Sequence, residues 1–270
     1  MSADFSVLIS VYHRESPAHL DLALLSIWDQ QTLKPSQIVL VKDGPLGNEL
    51  DLLISRWSER LGSLLSVVAI DSNSGLATAL NTGLSYCKYD LVARMDSDDI
   101  SFPDRFNIQI SYMSANSHIS VCSSYIEEWD ADISRFIRVR SVPEMHSDIV
   151  LQLQHRCPIN HPAVLFRKRD ILSVGGYPIM YPEDYPLWGI LVSEGYRLAN
   201  IPVCLLKMRT SDAMFARRGS AFLAGYIRTY LLFYRLGLIS MLSLLRNVAL
   251  QSIVRLSPLF IRKVLYKYAR

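Results

Sequence analysis

The segment MDSDD places three carboxylates, Asp96, Asp98 and Asp99, within four positions. Negative charges that close together repel, and they retain protons unless a cation lies between them. Mg²⁺ and Mn²⁺ take hard oxygen ligands, typically one or two carboxylates with water and substrate phosphates completing the shell. The cluster is therefore a candidate site for a divalent metal–diphosphate complex, although Asp-Ser-Asp-Asp also describes a loop with helix caps. Arg94 stands two residues earlier, on the same strand face as Asp96. The favoured reading of Arg94 is a structural ion pair with an acid. Asp99 either orients the metal or caps the following helix, and Asp104, after Pro103, reads as a helix-start residue.

Glu183 and Asp184, in PEDYPLW, form a second acid pair; on their own they fit a helix N-terminus, where acids complement the dipole. Trp188 follows Asp184 by one helical turn, so its ring either faces a shared cleft or packs in the core. HRCPINH holds His155, Cys157 and His161 but offers no fourth zinc ligand, and proline interrupts it, so a structural role is expected.

The elements that must position these residues alternate regularly over the first 100 residues. SVLISVY (6–12), QIVLVKDG (37–44), SVVAIDSNSG (66–75) and YDLVARMD (89–96) read as strands with their loops. LDLALLSIWDQQ (20–31), LGNELDLLISRWSERLG (46–62) and LATALNTGLSYCK (76–88) read as helices. Such alternation implies a parallel α/β sheet, whose ligands bind outside the carboxyl ends of the strands. Those ends are polar: Tyr12–Glu15, Asp43–Gly44, Asp71–Asn73 and Asp96–Asp99. Three of the four strands end in Asp, which points to a shared cleft rather than to isolated caps. Beyond them, 104–116 reads as a helix, 120–129 and 135–142 as strands, 160–178 as strand, short helix and glycine turn, and 182–195 as a helix.

The net charge of +3 conceals a division. Residues 213–270 hold ten Lys or Arg and no acid, leaving 18 of the 28 basic residues and all 25 acidic ones in the first 212. A basic tail suggests an anionic partner. No nucleic-acid motif accompanies the charge, so a membrane surface is expected and nucleic acid is not. The longest uncharged run of the tail, Leu236 to Leu245, is too short to span a bilayer. Arg228, Arg235 and Arg246 would share one face of a continuous helix lying in the membrane interface. The alternative is a helical pair packed on the domain's own core. The N-terminus does not read as a signal peptide, and the four scattered cysteines fit reduced thiols in cytosol.

The run NSGLATALNTGLSYCKYDLVARMDSDDISFPDR resembles the central segment of glycosyltransferase family 2, with its Asn-x-Gly, Ala-Leu-Asn-x-Gly, Asp-x-Asp and Pro-x-Arg pattern. SVLISVYHRE and QIVLVKDG resemble the family's first two strands, NHPAVLFRK with VGGYP its acceptor-side loop, and PEDYPLW its Glu-Asp motif. The similarity covers roughly residues 5–210. It implies a GT-A-type, Rossmann-like mixed sheet flanked by helices over 1–212, with a nucleotide-binding half (1–103) and an acceptor half (104–212). Residues 213–270 would then be a basic amphipathic helical tail.

The resemblance also implies roles. Val11, Tyr12, Arg14 and Glu15 would cradle the nucleotide with Asn73, Gly75 and Asn81; Asp43 would bond the pyrimidine ring. Asp96 would hold the ribose or sugar, with Arg94 beside it, and Asp98 would ligate Mn²⁺ or Mg²⁺. Asp184 would be the general base, with His161, Gly176, Tyr177, Glu183 and Trp188 on the acceptor side. Arg217 and Arg218 would close over the diphosphate, unless phospholipid claims them. Thr78 stands where many relatives have a basic residue, which puts a phosphate or base contact there in doubt.

The expectation is an inverting transferase moving a sugar, UDP-linked, to a hydroxyl of a lipid-linked saccharide in surface polysaccharide synthesis. It would work in the cytoplasm, peripherally on the inner face of the cell membrane. A nucleotidyltransferase or a dinucleotide-dependent oxidoreductase would want a glycine-rich loop after the first strand, and VYHRESP has none. A non-catalytic sugar-binding scaffold is the other alternative, disfavoured by the presence of both Asp98 and Asp184.

Overall fold

The computed structural model describes residues 3–210 and 220–257. Strands β1 (Phe5–Val11), β2 (Gln37–Asp43), β3 (Leu65–Ile70) and β4 (Leu91–Asp96) alternate with helices α1 (Pro17–Ile27), α2 (Asn48–Leu61) and α3 (Leu76–Tyr86). All four strands are parallel, in the order β3-β2-β1-β4. Their residues alternate between two apolar layers. Val7, Ile9 and Val11 face the layer of α1 and α2, and Leu8 faces the layer of α3.

Past β4 the chain turns through β5 (Ile100–Ser101) into α4 (Arg105–Ala115), then β6 (Ile119–Trp129) and β7 (Phe136–Arg140). Helix α5 (His146–Leu153), β8 (Leu165–Arg167), α6 (Lys168–Ser173), α7 (Asp184–Ser193) and β9 (Arg197–Arg209) complete the domain. β8 pairs antiparallel to β4 and to β6, while β9 runs parallel to β6 and antiparallel to β5. One nine-stranded mixed sheet thus crosses the expected division at residue 103.

The sequence reading passed over α5 and β9. α5 is a single short amphipathic helix between loops. β9 contains Pro202, which argues against a strand interior. The register explains how it is tolerated: Ser124 faces Ile201 and Tyr125 faces Cys204, so Pro202 and Val203 form a bulge.

The tail is not a continuous helix. Helices α8 (Ser220–Arg235) and α9 (Met241–Leu256) are separated by a turn containing Gly237 at φ +73°. Ser240 then caps α9, its hydroxyl accepting from the Ser243 amide at 3.2 Å. Arg246 therefore belongs to a different helix from Arg228 and Arg235. The pair packs on the domain: Tyr230 and Phe233 are fully buried against Tyr185, at ring distances of 6.1 and 5.0 Å. Two glycines permit the approach. A Cβ on Gly189 would lie 2.0 Å from the Phe233 ring, and one on Gly225 would lie 1.7 Å from the Tyr181 carbonyl oxygen.

Gly225→Ala gains about 1 kcal/mol of helix propensity, but backbone cannot yield as a side chain can. The clash should dominate, with a net loss of about 1–3 kcal/mol, read as a lower urea midpoint. An unchanged midpoint would show that α8 is not seated on the Tyr181 loop.

Candidate active site

The parallel register brings the expected strand ends together. Ser10 lies opposite Asp96, Val11 opposite Lys42, and Asp43 opposite Ile70. Outside these ends lies a cavity of about 670 Å³. Val11, Tyr12, Glu15, Asp43, Asn73 and Gly75 line one side of it. The Asp43 carboxylate accepts from the Ser74 and Gly75 amides at 2.7 and 3.1 Å and from Asn73 Nδ2 at 3.2 Å. It therefore shapes the 73–75 loop while facing the cavity. Glu15 is turned inward by Ser97, whose hydroxyl donates to it at 2.7 Å.

Arg94 is 2% exposed and forms a two-pronged ion pair with both oxygens of Asp96, one at 2.5 Å. The ion-pair reading of Arg94 describes its contact. Arg105, fully buried in α4, donates to the Arg94 carbonyl at 2.6 Å and to Gln109 at 3.0 Å. From the far strand, Arg209 clamps the acidic loop. Its amide donates to Asp99 Oδ1 at 2.9 Å, and its guanidinium donates to the Asp98 carbonyl at 2.6 Å and the Ala131 carbonyl at 2.7 Å. Asp104 sits at the start of α4, its carboxylate accepting from Thr32 at 2.9 Å.

Ligand oxygens of Asp96, Asp98 and Asp99 converge within 4.8 Å of one another, the one such cluster of acids, His and Cys among the described residues. Burial, then Asp96 and Glu15, push Asp98 up to about 7. Burial, then Asp98 and Asp96, push Asp99 well above the carboxylate range, and its Oδ2 is buried without a partner among the described residues. Arg94 already occupies Asp96. The open oxygens are therefore those of the Asp98 carboxylate and Oδ2 of Asp99, a hard donor set with excess negative charge that fits a divalent cation.

The second acid pair borders the same cavity with His161. Glu183 occupies the N-cap position of α7 without a side-chain capping bond, and Asp184 lies in the first turn, where an acid complements the helix dipole. Burial, then Asp184, raise Glu183 to about 7. Asp184 is raised by burial, opposed by the Tyr185 backbone amide and by the Cys157 thiol, which donates to Oδ2 at 3.6 Å. Cys157 stays protonated, because burial and Asp184 raise it well above the thiol range. His161 is neutral, lowered by burial and by Arg94, so its 3.6 Å approach to Glu183 is not an ion pair.

Several expected contacts do not reach the cavity. Arg14 is exposed and outside its lining. Asn81 exchanges two hydrogen bonds with the backbone of Tyr177, at 2.8 and 2.7 Å. Gly176 is required there, because at φ +81° a Cβ would meet Asn81 Oδ1 at 2.5 Å. Tyr177 is buried behind the site, its hydroxyl 3.1 Å from His161 Nε2. Trp188 is fully buried, its ring 5.9 Å from that of His161. Trp188 packs in the core, one turn along α7 from Asp184, about 6 Å of helix rise. Asn81, Gly176, Tyr177 and Trp188 thus form the wall that supports His161. Arg217 and Arg218 lie outside the described residues.

The family model for glycosyl transferase family 2 matches residues 6–175. The chain belongs to this family. It is 38% identical over 98% of its length to the amylovoran biosynthesis glycosyltransferase AmsE of Erwinia amylovora, of which 99% is covered. It is 36% identical to a UDP-Gal:α-D-GlcNAc-diphosphoundecaprenol β-1,3-galactosyltransferase of Escherichia coli, over 97% of this chain and 95% of that one. The mannosyltransferase PcManGT of Pyrobaculum calidifontis, solved with GDP-Man and Mn²⁺, superposes with a TM-score of 0.64 at 16% identity, covering 98% of this chain and 79% of that one. The protein is a glycosyltransferase of GT-A fold. The family match ends before Glu183 and Asp184, whereas AmsE is matched through the helical tail.

Residues that the sequence reading missed as site residues include Cys157, read as structural, and Arg140, Arg156 and Arg255, which also line the cavity. The buried acids cost stability in a pH-dependent way. Glu183 is protonated in the folded chain and ionised in the unfolded chain between the ordinary pKa of 4.5 and about 7. Stability therefore falls as pH rises through that window. Glu183→Gln should raise the thermal midpoint at pH 8 and leave it unchanged below pH 4.5. An equal shift at both would assign the effect to packing.

Proposed function

We propose that the enzyme transfers a sugar, with inversion, from a UDP-sugar to a hydroxyl of a lipid-linked saccharide in surface polysaccharide synthesis. The observation that carries this reading is one cavity bordered by two separate carboxylate groups, Asp96–Asp99 and Glu183–Asp184. Asp43 and the 73–75 loop receive the nucleotide, and Asp96, held by Arg94, receives a ribose or sugar hydroxyl. Asp98, with Asp99 beside it, holds Mn²⁺ or Mg²⁺. When bound, that cation neutralises charge on the leaving diphosphate. Asp184 takes the proton of the acceptor hydroxyl as its oxygen bonds to the anomeric carbon. The bond from that carbon to the diphosphate oxygen breaks, and the nucleoside diphosphate leaves with the electron pair. The Cys157 thiol and the α7 N-terminus orient Asp184.

Asp184→Asn should lower kcat by roughly 10²–10⁴-fold, the usual contribution of a positioned base, while donor binding survives. Asp98→Ala should abolish Mn²⁺-dependent donor binding. A base acts only when ionised, so kcat should rise with pH as the Glu183–Asp184 pair loses its proton. Glu183→Gln removes a negative neighbour and should move that limb to lower pH. Full transfer by Asp184→Asn would overturn the assignment of the base.

The same proposal places the enzyme peripherally on the cytoplasmic face of the membrane. No described helix is long and apolar enough to cross a bilayer. On α9, Leu242, Leu245, Ile253 and Leu256 are 78, 61, 64 and 67% exposed. At 100° per residue they fall within an arc of about 80°, beside the exposed Arg246. An apolar stripe flanked by cations, in a segment without acids, suits an anionic interface. Leu242→Glu with Leu245→Glu should reduce sedimentation with phosphatidylglycerol vesicles at least tenfold. Unchanged sedimentation would remove α9 from the contact.

A further inference from the structure

Among the described residues, His155, Cys157 and His161 form no cluster that could hold a metal, and they meet three different partners. The His155 ring lies 2.8 Å from an Arg246 nitrogen on α9, and His161 meets Tyr177 at 3.1 Å. Cys157 instead lines the cavity beside Asp184. Its Sγ is 3.6 Å from Asp184 Oδ2 and 3.5 Å from the Ile159 carbonyl oxygen. One S–H thus has two acceptors and serves one of them at a time.

The backbone that carries this sulfur is held from four elements. Tyr185 on α7 donates to the Leu153 carbonyl at 2.5 Å, and Asn247 on α9 donates to that of Gln154 at 2.6 Å. Tyr230 on α8 donates to the His155 carbonyl at 2.8 Å, and Asn200 on β9 donates to that of Pro158 at 3.0 Å. Side chains on loops are placed accurately when supporting hydrogen bonds hold them in this way. Tyr185 also follows Asp184 directly, so one bond ties the helix of the base to the segment of the thiol.

A base must hold its orientation both before and after it takes a proton. Arg140 on β7 and Arg94 on β4 favour the ionised form of Asp184, and Arg156 and Arg255 line the same cavity. His161 is neutral, and burial raises the Tyr177, Tyr185 and Tyr226 hydroxyls above the ordinary phenol range. Of these neighbours, Glu183 is the one that changes charge near neutral pH. None of them supplies a second directed donor to Oδ2. An S–H is a weak donor, so it orients the carboxylate while lowering its basicity less than an O–H or N–H would.

We propose that Cys157 is a positioning residue whose S–H turns between Asp184 and the Ile159 carbonyl as the base changes protonation state. This rests on Asp184 as the base proposed above. With Asp184 ionised, the thiol donates to Oδ2 and leaves Oδ1 for the acceptor's proton. Once that proton has moved from the hydroxyl to Asp184, the S–H turns to the Ile159 carbonyl, and a sulfur lone pair faces the carboxylic acid. No S–H bond breaks at any stage.

The test follows kcat for UDP release against pH on the full chain, with Mn²⁺ saturating and water as acceptor. The donor is whichever of UDP-galactose, UDP-glucose and UDP-N-acetylglucosamine is hydrolysed fastest. The limb that vanishes in Asp184→Asn belongs to the base. Cys157→Ala removes a donor to the ionised form and should move that limb up by about 0.5–1 pH unit. Its high-pH plateau should fall roughly threefold or more, because the carboxylate is no longer held. Cys157→Ser restores a stronger donor on a shorter bond, so the limb should return to the wild-type pH or below it while the plateau stays reduced.

A limb that survives Asp184→Asn would overturn the base and this proposal together. A limb lost there but unmoved in Cys157→Ala, whether or not kcat falls evenly at every pH, would overturn this proposal alone. Equal upward shifts in the Ala and Ser variants would assign the effect to packing and also overturn it.

Discussion

The dominant constraint is the gathering of five carboxylates, Asp96, Asp98, Asp99, Glu183 and Asp184, around one cavity with Arg94 buried among them. Burial and mutual repulsion raise Asp98 and Glu183 to about 7. Such an arrangement opposes folding, so the surrounding scaffold must hold it in place. Arg94 neutralises Asp96 and is itself fixed through its carbonyl by Arg105, which burial lowers to about 9 and leaves charged at neutral pH. The Arg of the Pro-x-Arg pattern is thus a clamp on the strand that carries the acids.

The second clamp comes from 111 residues away. Arg209, at the end of β9, binds the Asp98 carbonyl and carries its backbone N–H to Asp99. The bulge at Pro202 and Val203 separates the two halves of β9. The first half pairs along the start of β6; the second reaches β5, beside the acidic loop. A strand that looks unfavourable in isolation is what holds the acidic loop closed from below.

The basic tail has two faces. Its helices cover α7 and contribute Phe222, Tyr226, Gln251, Val254 and Arg255 to the cavity, while the opposite face of α9 is apolar and exposed. The lack of acids in 213–270 has a local meaning at Arg255 as well as a general one at the surface.

Much of this was legible in the chain. Strand–helix alternation and the polar residues after each strand determined that acids would meet at one sheet edge, because parallel strands must align their carboxyl ends. The Arg94–Asp96 pair followed from period-two spacing within one strand. Gly237 and Ser240, in RLGLIS, were local signals of a helix break that the spacing of the arginines concealed. What the tertiary structure alone decided was which side chains reach the cavity. Trp188 has the spacing of a cleft residue and is buried, because its helix points inward. Cys157, Arg140, Arg156 and Arg255 carry no periodic signal and come from segments that meet only when the sheet and tail are assembled. Local pattern can specify the ends of strands, but the lining of the cavity depends on contacts between residues far apart in the chain.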